Sequence, residues 1–142
     1  MKISAKIDYA CRALLELSLR WPDQSPVQLN QIARRQKIPV KFLVHILISL
    51  KQLGFVESIR GKKGGYVLVQ SPQEIRLGQV VKNFGGWGYA VTLGGAKKEV
   101  PHVMDSIWQE IDEALWKLLD RISLETIANR ERSKGNAVIY EI

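Results

Sequence analysis

Phe55–Val69 reads FVESIRGKKGGYVLV. Two β-rich runs, Phe55–Ile59 and Tyr66–Val69, flank Arg60-Gly61-Lys62-Lys63-Gly64-Gly65. Glycines supply the backbone freedom of a tight reversal, so the stretch is expected to be a β-hairpin. Its tip carries three cationic side chains, Arg60, Lys62 and Lys63, and no acid. Directly after a helix, such a hairpin has the make-up of a wing that a winged helix lays against a nucleic-acid backbone. The plainer alternative is a solvated turn whose lysines keep a strand edge from pairing with other chains.

The rest of the chain weighs toward the wing. Its 142 residues suit one compact domain, or a small domain with an oligomerising arm, and an apolar share of 46% is enough for a core. The net charge of +7 favours a polyanionic partner. That excess is uneven: up to Lys82 there are 14 Lys+Arg against 5 Asp+Glu, and beyond it 7 against 9, so +9 and −2 sum to +7. The basic half is therefore the expected binding half. Cys11 is the one cysteine, and His45 and His102 are the two histidines. This excludes an intrachain disulfide and a Cys-rich metal site built by one chain. No run approaches the roughly 18 apolar residues of a membrane span, and the start lacks a signal-peptide core, so a cytoplasmic protein is expected.

Ahead of the hairpin, Ser4 can cap a first helix with Ile3, Ile7, Ala10, Cys11, Leu14 and Ser18 on its apolar stripe. Cys11 then reads as a buried, inert thiol. Lys6 and Tyr9 lie off that stripe or at its margin, free to reach a phosphate. Trp21-Pro22 ends the helix. A short helix follows over about Leu29–Gln36, with Leu29, Ile32 and Ala33 inward and Arg34 and Arg35 outward. After Lys37-Ile38-Pro39 comes a second, from Val40 to Leu53, with Leu43, Ile46, Leu47, Leu50 and Leu53 as its core stripe and Gly54 as its stop. Two helices so joined make a helix-turn-helix, the second being the candidate recognition helix. At about 100° per residue, Lys41, Val44, His45, Ile48 and Gln52 face away from the core. Only the first turns enter a major groove, which leaves Lys41, Val44 and His45 as candidates for base edges. That face is poor in hydrogen-bonding groups, so backbone contacts and the wing are expected to carry much of the affinity. For His45, a solvated histidine without a role stands as the alternative.

Past the hairpin, Ile75, Leu77, Val80, Val81 and Phe84 suggest a small helix under the winged domain. Gly85-Gly86-Trp87-Gly88-Tyr89 through Gly94-Gly95-Ala96 is too glycine-rich for regular structure. It reads as a linker, or as a loop closing over an effector with Trp87 and Tyr89 as its apolar contacts. From Met104, a stripe of Ile107, Trp108, Ile111, Leu115, Leu118, Leu119 and Ile122 repeats at helical spacing over about five turns. So long a stripe in so short a chain is expected to face a second copy as well as its own winged domain. Ser123 can start a last short helix, and Arg130–Asn136 reads as a polar, loosely held tail.

The expected fold is thus mainly α with a small β-hairpin wing: a winged helix-turn-helix domain over residues 1–84, a glycine-rich loop of sensor type over 85–102, and a long dimerisation helix with a short C-terminal helix over 103–142. Tyr9-Ala10, Gln31-Ile32-Ala33-Arg34-Arg35-Gln36, Phe42-Leu43 and above all the RGxxGGYxL core of Arg60–Leu68 resemble one family over nearly the whole length. It is that of the bacterial winged helix-turn-helix repressors that include the iron–sulfur regulator IscR and the nitric-oxide sensor NsrR. Leu77-Gly78-Gln79-Val80-Val81 and Ile107-Trp108 extend the match in order. The resemblance implies a homodimer crossed over through the long helix, acting on double-stranded DNA with an inverted-repeat operator. Lys6, Tyr9, Gln28, Lys62 and Lys63 would hold backbone, Lys41, Val44 and His45 would face the major groove, and Arg60 would lie in or against the minor groove.

Three departures qualify the resemblance. Cluster-binding members carry three cysteines before the long helix; Phe84–His102 has none, which excludes a cluster of that type, and no cofactor or metal is expected. The family's fourth ligand would fall near Asp105, and a lone carboxylate there makes no metal site, while His102 reads as a solvated loop residue. Lys37 stands where glycine is common, a strain on the order of 1 kcal/mol if its φ is positive. Pro39 stands where Ser or Thr would cap the recognition helix, a loss of ~1 kcal/mol. Val44, Ile48 and the missing cap leave open a winged-helix interaction module that has lost DNA binding. An enzyme is not expected: the hairpin tip lacks the G-x-x-x-x-G-K-[ST] spacing and the following helix of a phosphate-binding loop, and no nucleophile motif is present.

Overall fold

A computed structural model describes residues 3–85 and 102–140 of the protein. The chain runs α1 (Ala5–Ser18), α2 (Leu29–Gln36), α3 (Val40–Gln52), β1 (Val56–Ile59), β2 (Gly65–Leu68), α4 (Leu77–Asn83), α5 (Val103–Arg121) and α6 (Leu124–Tyr140). Helices dominate and the two strands form one antiparallel hairpin, so the expected fold class is the observed one.

Ser4 caps α1 as expected, its Oγ accepting from the Ile7 N–H at 3.2 Å. The buried face of α1 is Ile7, Ala10, Ala13, Leu14, Leu17 and Ser18; Ile3 is 46% exposed and drops out of the predicted stripe because it precedes the helix. Packed across α1 are α2 and α3, whose Ile32, Leu43, Leu47 and Leu50 are fully buried. Each such side chain stabilises by about 1.5–3 kcal/mol, so this three-helix layer is the core. Leu53, expected on the stripe of α3, is 39% exposed: it is the cap residue, where the helical rotation stops. Beyond it the Phe55 and Gly54 N–H groups donate to the Leu50 and Lys51 carbonyls, a Schellman closure that turns the chain straight into β1.

β1 and β2 pair Val56 with Leu68 and Ile59 with Gly65. A third short segment joins them. Val27 exchanges both backbone hydrogen bonds with Tyr66, at 3.0 and 2.9 Å, and so anchors the hairpin to the residues that precede α2. Gly65 is where that anchoring needs glycine: its φ is +152°, and a Cβ there would collide with the Val27 carbonyl.

Backbone hydrogen bonds lace the C-terminal half to the winged half. The Leu77 N–H donates to the Ile122 carbonyl at 2.7 Å and the Leu124 N–H to the Ile75 carbonyl at 2.9 Å. α5 packs on α4 and α6 packs on α1, and Leu119 and Leu124 join the common core. α6 differs from its expected form. Ser123 caps it, accepting from the Thr126 N–H, but it runs 17 residues instead of ending in a loose tail. Polarity there is not looseness. Arg132 pairs with Glu125 at 3.7 Å and with the Asn129 Oδ1 at 3.0 Å, and it donates to the carbonyl of Ser18 at 3.4 Å. A cation at the C-terminal end of α1 meets the negative end of that helix.

Candidate nucleic-acid interface

Between α2 and α3 the chain turns through Lys37, whose φ of 55° and ψ of 49° are left-handed. The Ile38 N–H donates back to the Ala33 carbonyl at 2.9 Å, which closes α2 in the manner of a glycine cap without the glycine. α3 then begins at Pro39, whose carbonyl accepts from Phe42 and Leu43 and whose side chain makes no cap bond. Both departures expected of this turn are present in the backbone.

Polar contacts centred on one buried carboxylate link α1 to the helix-turn-helix. Glu16 is 2% exposed and accepts from Gln36 Nε2 at 2.9 Å and from Arg35 Nη1 at 3.3 Å. Arg34 and Arg35 are both exposed, as expected, and Arg35 also reaches back to Glu16 on α1. Arg12 pairs with Asp8 at 3.1 Å and donates to the Gln36 carbonyl at 3.2 Å. The sequence shows these groups but not their meeting, because Glu16 is 19 and 20 residues from its partners.

On α3, Lys41, Val44, His45 and Ile48 are exposed, as the helical projection requires. Arg60, Lys62 and Lys63 are exposed at the wing tip. Two side-chain contacts tie wing to helices: Lys51 Nζ donates to Ser58 Oγ at 2.8 Å, and Gln28 Nε2 donates to the Lys62 carbonyl at 3.3 Å. Gln28, expected on the DNA backbone, thus also fixes the backbone of the wing. Tyr9 is half-buried, its ring 6.3 Å from that of Phe42 and tilted by 37°. Lys6 places its ammonium 5.6 Å from the Phe84 ring centroid, and Lys41 lies 5.4 Å over Phe42. Lys6, Tyr9 and His45 come together on one open cleft between α1 and α3. Sequence reasoning missed Phe42 as part of this surface. It is 50% exposed, and the available signal was an aromatic residue off the core stripe of α3.

The long helix carries its apolar side chains outward. Ile107, Ile111 and Leu118 are 40%, 41% and 51% exposed, while Trp108, Leu115 and Ile122 are half-buried. His102 is exposed and lies just ahead of α5, as expected, and it also caps that helix: its Nδ1 accepts from the Met104 N–H at 3.0 Å, and its own N–H donates to Asp105 Oδ2 at 2.8 Å. Asp105, near which the resemblance would put a cluster ligand, serves that capping box. Trp87 and Tyr89 lie outside the described residues.

With this geometry, the match of residues 3–130 to the family model described as "Rrf2: Iron-dependent Transcriptional regulator" is decisive. The chain belongs to the Rrf2 family. CymR of Bacillus subtilis is 30% identical to it over 142 residues, with 100% of both chains covered. The solved structure of that protein, titled the global cysteine regulator, superposes with a TM-score of 0.80 at 28% identity, covering 92% of this chain and 98% of its own. T. potens IscR gives a TM-score of 0.79 at 27% identity, covering 92% and 88%. This Rrf2 member is accordingly a DNA-binding transcription regulator and not an enzyme.

Iron, which the family description names, does not fit the donors present. Cys11 is the sole cysteine of the 142 residues. Burial, and then the neighbouring Asp8, push its thiol up to about 12, away from the thiolate that would bind metal. Among the described residues no group of three His, Cys, Asp or Glu side chains could hold a metal ion. Among them, too, no helix is long and apolar enough to cross a membrane.

Proposed function

We propose that this protein is a homodimeric repressor that recognises an inverted-repeat operator in double-stranded DNA, without an iron–sulfur cluster. The observation that carries the reading is the wing: three exposed cations on a hairpin tied at both edges to the helix-turn-helix. Lys62 and Lys63 hold phosphates, and Arg60 enters or lines the minor groove, where narrow A·T tracts concentrate negative potential. Lys6, Tyr9 and Gln28 add backbone contacts, and Lys41, Val44 and His45 meet base edges in the major groove. The exposed stripe of Ile107, Ile111 and Leu118, with Trp108, Leu115 and Ile122 beside it, supports a second copy packed along α5. Domains follow the same division: DNA binding up to residue 84 and dimerisation from 103. Trp87 and Tyr89 remain effector contacts on the sequence reading alone. A bacterial regulator of this kind works in the cytoplasm.

Selection of bound fragments from a random duplex pool tests the proposal. The expected product is an inverted repeat, and Arg60→Ala weakens binding to it by ~1–3 kcal/mol. Failure to enrich any duplex at low salt would return the protein to the class of interaction modules.

A further inference from the structure

We infer that the cleft between α1 and α3 is a binding site for a small amphipathic anion, an aromatic or medium-chain carboxylate, and that its occupancy opposes DNA binding. The site itself stands on the geometry; its regulatory consequence rests on the proposed DNA-binding reading.

The open cleft offers about 570 Å³, the size of a small-molecule site. Its walls are chiefly carbon: the Tyr9 and Phe42 rings, Ile46 and Ala5. Phe42 remains 50% exposed beside Ile46, one turn on, which is buried and also lines the cleft. Covering it is favourable for any apolar ligand. Lys6, His45 and Ser49 complete its lining, and no acid is among the lining residues. A neutral hydrocarbon would make no use of Lys6, and an inorganic anion would leave the rings wet. An apolar body with one carboxylate satisfies both. The contact described for Lys6 is with the face of Phe84, at 5.6 Å, a weak hold that a carboxylate outbids.

Lys6, Tyr9 and His45 are also assigned to the operator. A bound carboxylate draws on the cation that would hold a phosphate, so ligand and duplex oppose each other. By linkage the opposition is mutual: each weakens the other by the same factor.

The test uses naphthalene-1-acetate and its uncharged isostere naphthalene-1-acetamide as probes on the full chain, with fluorescence and calorimetric titration. The acid is expected to bind saturably and at least about tenfold more tightly than the amide. Ser49→Leu fills the cleft from a position not assigned to DNA; it should weaken the acid by about tenfold or more and leave duplex affinity within about twofold. Ala5→Leu narrows the other wall and should do the same should Ser49→Leu fold poorly. Saturating acid should weaken binding to the selected operator by at least about fivefold, and operator should weaken the acid equally. Equal binding of acid and amide, or no saturable binding of the acid below about 1 mM, overturns the inference. So does loss of the dimer in Phe42→Ala, which would give the cleft to a second copy. A protein that takes the acid yet binds no duplex at low salt retains the site and loses the proposed function. Duplex binding without acid binding does the reverse.

Discussion

Single residues carry most of the local departures in this protein, and Lys37 is the clearest. At φ 55° its Cβ crowds the backbone, yet the turn it makes is the one that sets α3 against α1. Lys37→Gly should raise the urea midpoint by the equivalent of about 0.5–1 kcal/mol with unchanged slope, glycine's entropy offsetting part of the relief. A lowered midpoint would mean that the lysine makes a compensating contact. Cys11 supplies a pH dependence with a definite sign. Its thiol ionises near 9 in the unfolded chain but only toward 12 in the folded one, so the folded state holds the proton longer. Stability therefore falls as pH rises above 9, and that part of the fall should vanish in Cys11→Ala. Cys11 is half-buried rather than fully buried, and equal slopes for parent and variant in alkaline denaturation series would contradict the shift of its thiol. The ordinary caps were legible one residue at a time: Ser4, Ser123 and Gly54 each sit where their chemistry is needed. His102 was not, because a histidine cap has no sequence signal apart from the Asp105 three residues on.

Elements were legible wherever a period or a turn signal spanned them. The 3–4 spacing of α1, α3 and α5 and the glycine-flanked cations of the wing are local facts. Three things were hidden, each because its partner is distant in sequence. Val27 joins the hairpin from 39 residues away (66 minus 27), with nothing around it that reads as a strand. Exposed Arg35 pairs back to Glu16 on α1, and Arg132 in the polar stretch of α6 reaches the end of α1. At the binding surface the lysines and His45 were readable from helical projection, while the cleft they share with Phe42 needed the packing of α1 on α3. The element whose function is most exposed to test is α5. Ile111 is 41% exposed in the single chain, and burying a carboxylate in a dimer seam costs upward of about 3 kcal/mol. Ile111→Glu should therefore raise the dimer dissociation constant at least about a hundredfold in sedimentation, with the helical content of the protomer retained. A variant that stays dimeric would place the partner elsewhere.

On the scale of the whole molecule, charge and apolar surface are separated along the chain. The half up to Lys82 carries +9 and presents α3 and the wing; the half beyond carries −2 and presents an apolar helix. Repulsion between two basic halves is thereby kept away from the seam that would join them, and the backbone ties at Ile75–Leu77 and Ile122–Leu124 link seam to reading head within each copy. In the proposed dimer two wings meet one duplex, and the dependence of affinity on salt counts them. In a titration of the selected operator against salt, the log–log slope of the parent should be several units, and Lys62→Ala should reduce it by about 2, one released contact for each wing. A slope left unchanged by Lys62→Ala, with affinity intact, would show that the wings do not hold the DNA.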